Sequence, residues 1–292
     1  MGGRQFSLRI VLAALAGGLF LSAGCNKTEA PQPAKAVVAA KSAIEVTSNA
    51  DGVTIHTPAA TFIFSSSGVL TSSLQNDGAS LTLETKSDAK PAETGQTITI
   101  GKREISGAPL DTANAHVSDA SGKLGALGKQ IEVKGKIPGS ALEETATIEV
   151  YDAFPNMALL SVQLRNAGTS EIALDSVTVQ RHRFASPDAG NPLWAFQGSS
   201  LRWGKDEIFA MPAKFSEENP FGEPVKVGGD LGQAGGGVPV VAFWSRQVGE
   251  AIGHIETLPL AMAIPVQTDA KNSRVKAAVR FPARTALKPG EI

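Results

Sequence analysis

The sequence predicts an all-β domain, a single large antiparallel β-sandwich, and three observations predict it. Apolar and polar residues alternate with a period of two in many short runs, the pattern of sheets with one buried and one wet face. Gly, Asp, Ser and Asn punctuate those runs at the intervals expected of turns. No stretch of the proposed domain sustains a helical period, so nothing competes with the strands for the core. Cys25 is the one cysteine in 292 residues, so no internal disulfide is available and the domain must hold through its own packing.

The chain begins MGGRQFSLRIVLAALAGGLFLSAGC, in which Arg4 and Arg9 are the only charges and precede an apolar run from Ile10 to Leu21. A basic start followed by an apolar segment too short to span a bilayer is the form of an export leader, here residues 1–24. Ser22-Ala23-Gly24 then stand directly before Cys25, as in a lipobox, where the cysteine thiol takes a diacylglycerol before cleavage. Ser22 occupies the place where leucine is commonest. An ordinary secretory cleavage site with an incidental cysteine is the blander alternative, but acylation explains a lone thiol in an exported chain. Asn26 after the cysteine, by resemblance to Gram-negative lipoproteins, points to the outer membrane. The expectation is a cell-envelope protein held to the membrane by lipid on Cys25.

Residues 25–42 contain NKTEAPQPAKAVVAAKS, rich in Ala, Lys and Pro and too sparse in large apolar groups to pack. They read as a flexible tether. The sandwich is expected over residues 43–292, with strands in GVTIHT, TFIFSS, LTLETK, QTITIGKREI and KQIEVKGKI. Residues 144–151, 157–165 and 171–182 read as three consecutive antiparallel strands, with turns at Asp152–Asn156 and Asn166–Gly168. Residues 191–237 change character, carrying Trp194, Trp203 and GGDLGQAGGG, and read as a long irregular excursion. Strands resume in VPVVAFWS, VGEAIGHIET, AMAIPVQT and RVKAAVRFPA, and LKPGEI reads as a turn entering a further element, as in a fragment of a longer protein.

Charge excludes some functions. The chain has 27 Lys+Arg against 28 Asp+Glu, and losing Arg4 and Arg9 with the leader leaves 25 against 28, about −3. No basic cluster suggests nucleic acid, and no second apolar span is long enough to cross a membrane. Histidines at 56, 116, 182 and 254 show no HxH or HExxH spacing, so neither a metal site nor a cofactor is expected from linear pattern. FSSSG lacks the GxSxG elbow, and GQAGGGVP lacks the Lys-Ser/Thr of a phosphate loop. No catalytic residue is identified. Alternation puts His254 and Glu256 on one strand face, either lining a cleft or facing solvent. Trp194 and Trp203 offer flat faces for stacking on sugar rings, against the plainer reading of core aromatics. Arg181-His182-Arg183 reads as an exposed strand end without function.

The run GGGVPVVAFWSRQVGEAIGHIETLPLAMAIPV from Gly235, with YDAFPNMALLSVQLRNAGTSEIAL upstream, resembles bacterial α-galactosidase-like proteins of glycoside hydrolase family 36. The likeness covers about residues 143–292. It implies the N-terminal supersandwich of that family, of galactose-mutarotase-like form, which precedes a catalytic barrel carrying an aspartate nucleophile and an aspartate acid/base in a retaining mechanism. Both positions would lie beyond Ile292. The resemblance therefore implies a carbohydrate-associated domain with a galactoside or other glycan and its own barrel as partners, and Trp194, Trp203, His254 and Glu256 as the residues nearest a glycan. The alternatives are a non-catalytic envelope lipoprotein that binds glycans or another protein, and a mutarotase-like enzyme, for which no His/Glu spacing is suitable. Oligomeric state, including a homo-oligomer, stays open.

Overall fold

The computed structural model describes residues 8–15, 41–85, 95–120, 122, 124–187, 191–197, 207–210, 235–237, 240–255, 264–269 and 274–292. In chain order the strands are β1 (Leu8–Leu15), β2 (Glu45–Ser48), β3 (Gly52–His56), β4 (Ala60–Ser65), β5 (Leu70–Asn76), β6 (Ala79–Leu81), β7 (Thr97–Ile100) and β8 (Arg103–Ser106). Next come β9 (His116–Asp119), β10 (Gly128–Lys136), β11 (Leu142–Tyr151), β12 (Phe154–Asn166), β13 (Ile172–Ala185) and β14 (Trp194–Gln197). The last are β15 (Glu207–Ala210), β16 (Gly235–Gly237), β17 (Val240–Trp244), β18 (Gly249–His254), β19 (Ile264–Asp269) and β20 (Arg274–Leu287). The all-β expectation is met: among the described residues the only helix is a single 3-10 turn at Thr112–Asn114.

The strands form three antiparallel sheets. One is nine-stranded in the order β15-β14-β17-β18-β1-β12-β11-β10-β9, one six-stranded in the order β16-β19-β20-β13-β7-β8, and one is the meander β2-β3-β4-β5-β6. Phe184 of β13 meets Phe243 of β17 across the core with ring centroids 4.9 Å apart, so the six-stranded sheet packs on the nine-stranded one. Phe62, Phe64, Val53 and Ile55 of the meander are fully buried in the same apolar cluster. Gln180 of β13 ties the two smaller sheets together: its Oε1 accepts the Leu70 N–H at 2.9 Å and its Nε2 donates to Gly68 O at 2.7 Å.

Turn chemistry sets the hairpins. Asp77-Gly78 and Gly101-Lys102 each put two residues at positive φ between paired strands, the turn whose twist matches that of its flanking strands. Lys102 tolerates φ 68° because its N–H is held by Asp175 Oδ2 at 2.7 Å. What reads in sequence as the one run QTITIGKREI is thus a hairpin.

The three-strand unit expected over 144–182 divides. β11 and β12 pair from Leu142↔Asn166 to Tyr151↔Phe154 around a tight turn, but β13 leaves for the other sheet and pairs with β20 and β7. The crossover pivots on Asn166, wholly buried, whose Nδ2 donates to Ser170 O and Leu287 O while its Oδ1 accepts the Gly168 N–H. Periodicity marks each strand but carries no information on which sheet it joins.

The N-terminal apolar run also takes a place in the sheet. Leu8–Leu15 is strand β1, between β12 and β18, in the register Leu12↔Ala158 and Leu12↔Ile252. An extended apolar segment satisfies the backbone groups that β12 and β18 present to each other across that slot. The leader expectation concerns a chain from which these residues have been cut. Cys25 and all of the tether but Lys41 and Ser42 lie outside the described residues.

Candidate functional site

Two places depart from the ordinary distribution of residue types, and both are built by the ribbon β14-β17-β18. The first is its outer face. Trp194 stands directly opposite Trp244, and Phe196 opposite Ile208 of β15. Side chains of directly opposed residues share a face with Cβ atoms about 4.5–5.5 Å apart. Trp194 is 40 % exposed and Ile208 62 %, while Trp244 and Phe196 are half-buried. Alternation sends the residues between them, Ala195 and Phe243, into the core, both fully buried. The core-aromatic reading therefore does not hold for Trp194. Trp203 and Glu256 lie outside the described residues. Trp244 was legible in VPVVAFWS only as a strand residue; its place beside Trp194 depends on register.

His254 belongs to the opposite face. It follows Glu250 and Ile252 in alternation, and these point inward with Phe243 and Val241. Its Nδ1 is buried without a hydrogen-bond partner, and burial lowers its pKa. The solvent-facing reading of His254 is corrected, and Trp194 and His254 do not converge on one cleft.

The second place is this inner face, where Glu250 meets His182 of β13 and Glu84. Residues 83–85 run beside the end of β13: Glu84 bridges Phe184, and the Thr85 N–H donates to Arg183 O at 2.8 Å. His182 Nδ1 is hydrogen-bonded to Glu84 Oε1 at 2.7 Å and lies 3.9 Å from Glu250 Oε1. The imidazole stacks on Phe184, with centroids 5.7 Å apart and planes 7° from parallel. All three side chains are nearly removed from solvent, at 11 % for Glu84, 1 % for His182 and 3 % for Glu250. Glu250 Oε1 and His182 Nε2 have no hydrogen-bond partner.

Electrostatics follow from dryness. Burial pushes the Glu84 carboxyl up to about 8, more than the Arg183 backbone bond restores. Glu250 is raised well above the carboxylate range by burial and then by the Glu84 charge, with His182 opposing. Burial holds the His182 imidazole below its usual pKa against the pull of Glu250. The exposed-strand-end reading of Arg181-His182-Arg183 is thereby corrected: His182 is core, and Arg181 bonds Gly95 O and Thr97 Oγ1. Ligand spacing along the chain could not find a group drawn from residues 84, 182 and 250. The available signal was one acidic residue at an inward position of VGEAIGHIET.

A third place is an open, charged groove of about 670 Å³ lined by Asp111, Lys134, Lys136, Glu143, Glu144 and Arg165 among others. Glu143 sits between Lys136 at 3.8 Å and Arg165 at 3.5 Å. Glu144 is buried, accepts the Ala108 N–H at 3.4 Å, and is pushed up to about 7 by desolvation. The groove holds no aromatic face for a sugar.

Comparison with known proteins gives a likeness in shape. No family profile matches the chain, and no curated protein matches it. Similar solved structures include a glycoside hydrolase family 36 α-galactosidase from Geobacillus stearothermophilus in complex with raffinose. That likeness has a TM-score of 0.45 at 12 % identity over 82 % of this chain and 38 % of that one. An α-galactosidase from Lactobacillus brevis is similar at a TM-score of 0.40 and 9 % identity, over 85 % of this chain and 38 % of that one. The chain thus spans under two-fifths of the length of either.

Proposed function

We propose that this chain is the N-terminal sandwich domain of an exported, lipid-anchored α-galactosidase-like glycoside hydrolase, which removes terminal α-galactosides when joined to its catalytic barrel. The observation that carries the reading is the resemblance in residues 235–266. There a Gly-rich segment, a PVV-x-x-W strand, the GEAIGHIET strand and a Pro-Val strand follow in the family's order, and the chain has β16, β17, β18 and β19 there. The exposed Trp194, with Trp244 beside it, supplies a flat apolar surface of the kind that packs on a pyranose ring. Lipid on Cys25 would hold this surface at the cell envelope, where oligosaccharides arrive. The chain's own part is to bind and orient; the retaining chemistry belongs to two barrel aspartates that its residues do not supply.

Two measurements test the proposal. The coding sequence past Ile292 should encode a barrel with strand-end aspartates, and an immediate stop codon would sink the enzyme reading. Calorimetry of the whole chain with raffinose, an α-galactoside, should register binding, weakened about tenfold by Trp194→Ala. If raffinose binds and no barrel follows, the second reading stands, a non-catalytic glycan-binding lipoprotein, which the exposure of Trp194 already favours. Metabolic labelling with a palmitate analogue should mark the wild-type chain and not Cys25→Ser.

A further inference from the structure

We propose that Glu84, His182 and Glu250 form a structural zinc site that ties the two packed sheets together. The three side chains come from both sheets. Glu250 sits on β18 of the nine-stranded sheet, while His182 and Glu84 belong to β13 and the segment bridged to it in the facing sheet. One carboxylate or imidazole oxygen or nitrogen from each lies within 4.8 Å of the others. A zinc ion with metal–ligand bonds of about 2.0–2.2 Å holds its ligands about 3.3–3.5 Å apart. The present separations of 2.7 Å and 3.9 Å from His182 Nδ1 bracket that span, so small side-chain rotations suffice.

Charge supports the same conclusion. Two carboxylates inside a core are costly unless something pairs them, and among the described residues no lysine or arginine bonds either one. A divalent cation between two carboxylates and a neutral imidazole makes the group electroneutral. Glu250 Oε1, buried and without a hydrogen-bond partner, is an acceptor aimed at His182 with nothing to accept from. A cation is the partner it lacks. Calcium and magnesium favour sets made wholly of oxygen, whereas one imidazole with two carboxylates suits zinc. Water completes the fourth position, with Ser72 neighbouring Glu250. Phe184 stacks on His182 and meets Phe243 across the two sheets, so an ion here would clamp one sheet to the other.

The test uses the whole chain, expressed with zinc in the medium and passed through a desalting column. Elemental analysis should find about one zinc per chain. Removal with a chelator should lower the unfolding temperature, and adding Zn²⁺ should restore it. Glu84→Gln, His182→Asn and Glu250→Gln should each lose the metal and the response to chelator. A metal-free chain whose unfolding temperature is the same in Zn²⁺ and chelator overturns the proposal, since the group then holds shared protons instead. Zinc retained in full by all three variants also overturns it. Should the variants fail to fold, X-ray absorption at the zinc edge of the wild-type chain decides. One imidazole with oxygen ligands supports the site; sulfur or a second imidazole overturns it.

Discussion

The two faces of the β14-β17-β18 ribbon invert the usual arrangement. Its inner face carries Glu250 and His254 among Phe243 and Ile252, and its outer face shows Trp194 to solvent with Trp244 and Ile208 around it. Scattered exposed apolar residues are unremarkable, as are buried ones; acids inside and tryptophans outside are the informative exceptions. The two faces interleave along each strand, since Phe243 and Trp244 are neighbours pointing opposite ways. The ribbon therefore has one side packed toward β13 and an aromatic side facing water. β11 repeats the inner half of the pattern, with Glu144 among Leu142, Ala146 and Ile148 on its buried face.

Substitutions separate the two sides, and the largest effect belongs to the inner one. Phe243→Ala removes a fully buried ring tilted against Phe184 and should cost about 3–5 kcal/mol in denaturant unfolding. A cost near zero would mean that the two sheets do not pack through this residue. Glu144 comes next and shows itself through pH. Its folded-state pKa is raised from 4.5 to about 7, so the folded chain holds a proton that the unfolded chain has released. Stability should fall as pH rises between those values, by at most about 3 kcal/mol, and then level off. Glu144→Gln should flatten that slope, and an unchanged slope would place its source elsewhere. His254 works in the other direction. Burial lowers its pKa, so its contribution is present above the unfolded value and lost as pH falls below about 6.5. His254→Leu should remove this acid-side loss, a smaller change because the residue is only half-buried. Smallest of all, Trp194→Ala should leave the unfolding free energy within about 0.5 kcal/mol of the wild-type value. A large destabilisation there would make the aromatic side another piece of core.

Legibility in the sequence followed the range of the interactions. Strand existence depends on neighbours two residues apart, so β3, β4 and β10 stand out by alternation alone. The hairpin at Gly101-Lys102 was hidden because a positive φ on lysine needs Asp175, far along the chain, to hold it. Sheet membership was hidden too: β13 follows β12 at a short turn, as a hairpin partner would, and only the clamp at Asn166 redirects it. The same limit applied to the sites. Trp194 was visible as a residue type, but its exposure depends on register with Trp244. The group at residues 84, 182 and 250 has no local signature, because its three members come from segments far apart along the chain and meet only when the two sheets pack.

β1 carries a consequence for the order of events under the proposed function. Leu8–Leu15 is the fifth of nine strands, hydrogen-bonded on both edges to β12 and β18. If this segment serves as the proposed leader, a precursor that completed its fold first would close it into the middle of a sheet, beyond the reach of any receptor for extended apolar segments. Translocation would then be a race against the long-range β12 and β18 pairings, and slow, non-local sheet assembly would give it the time.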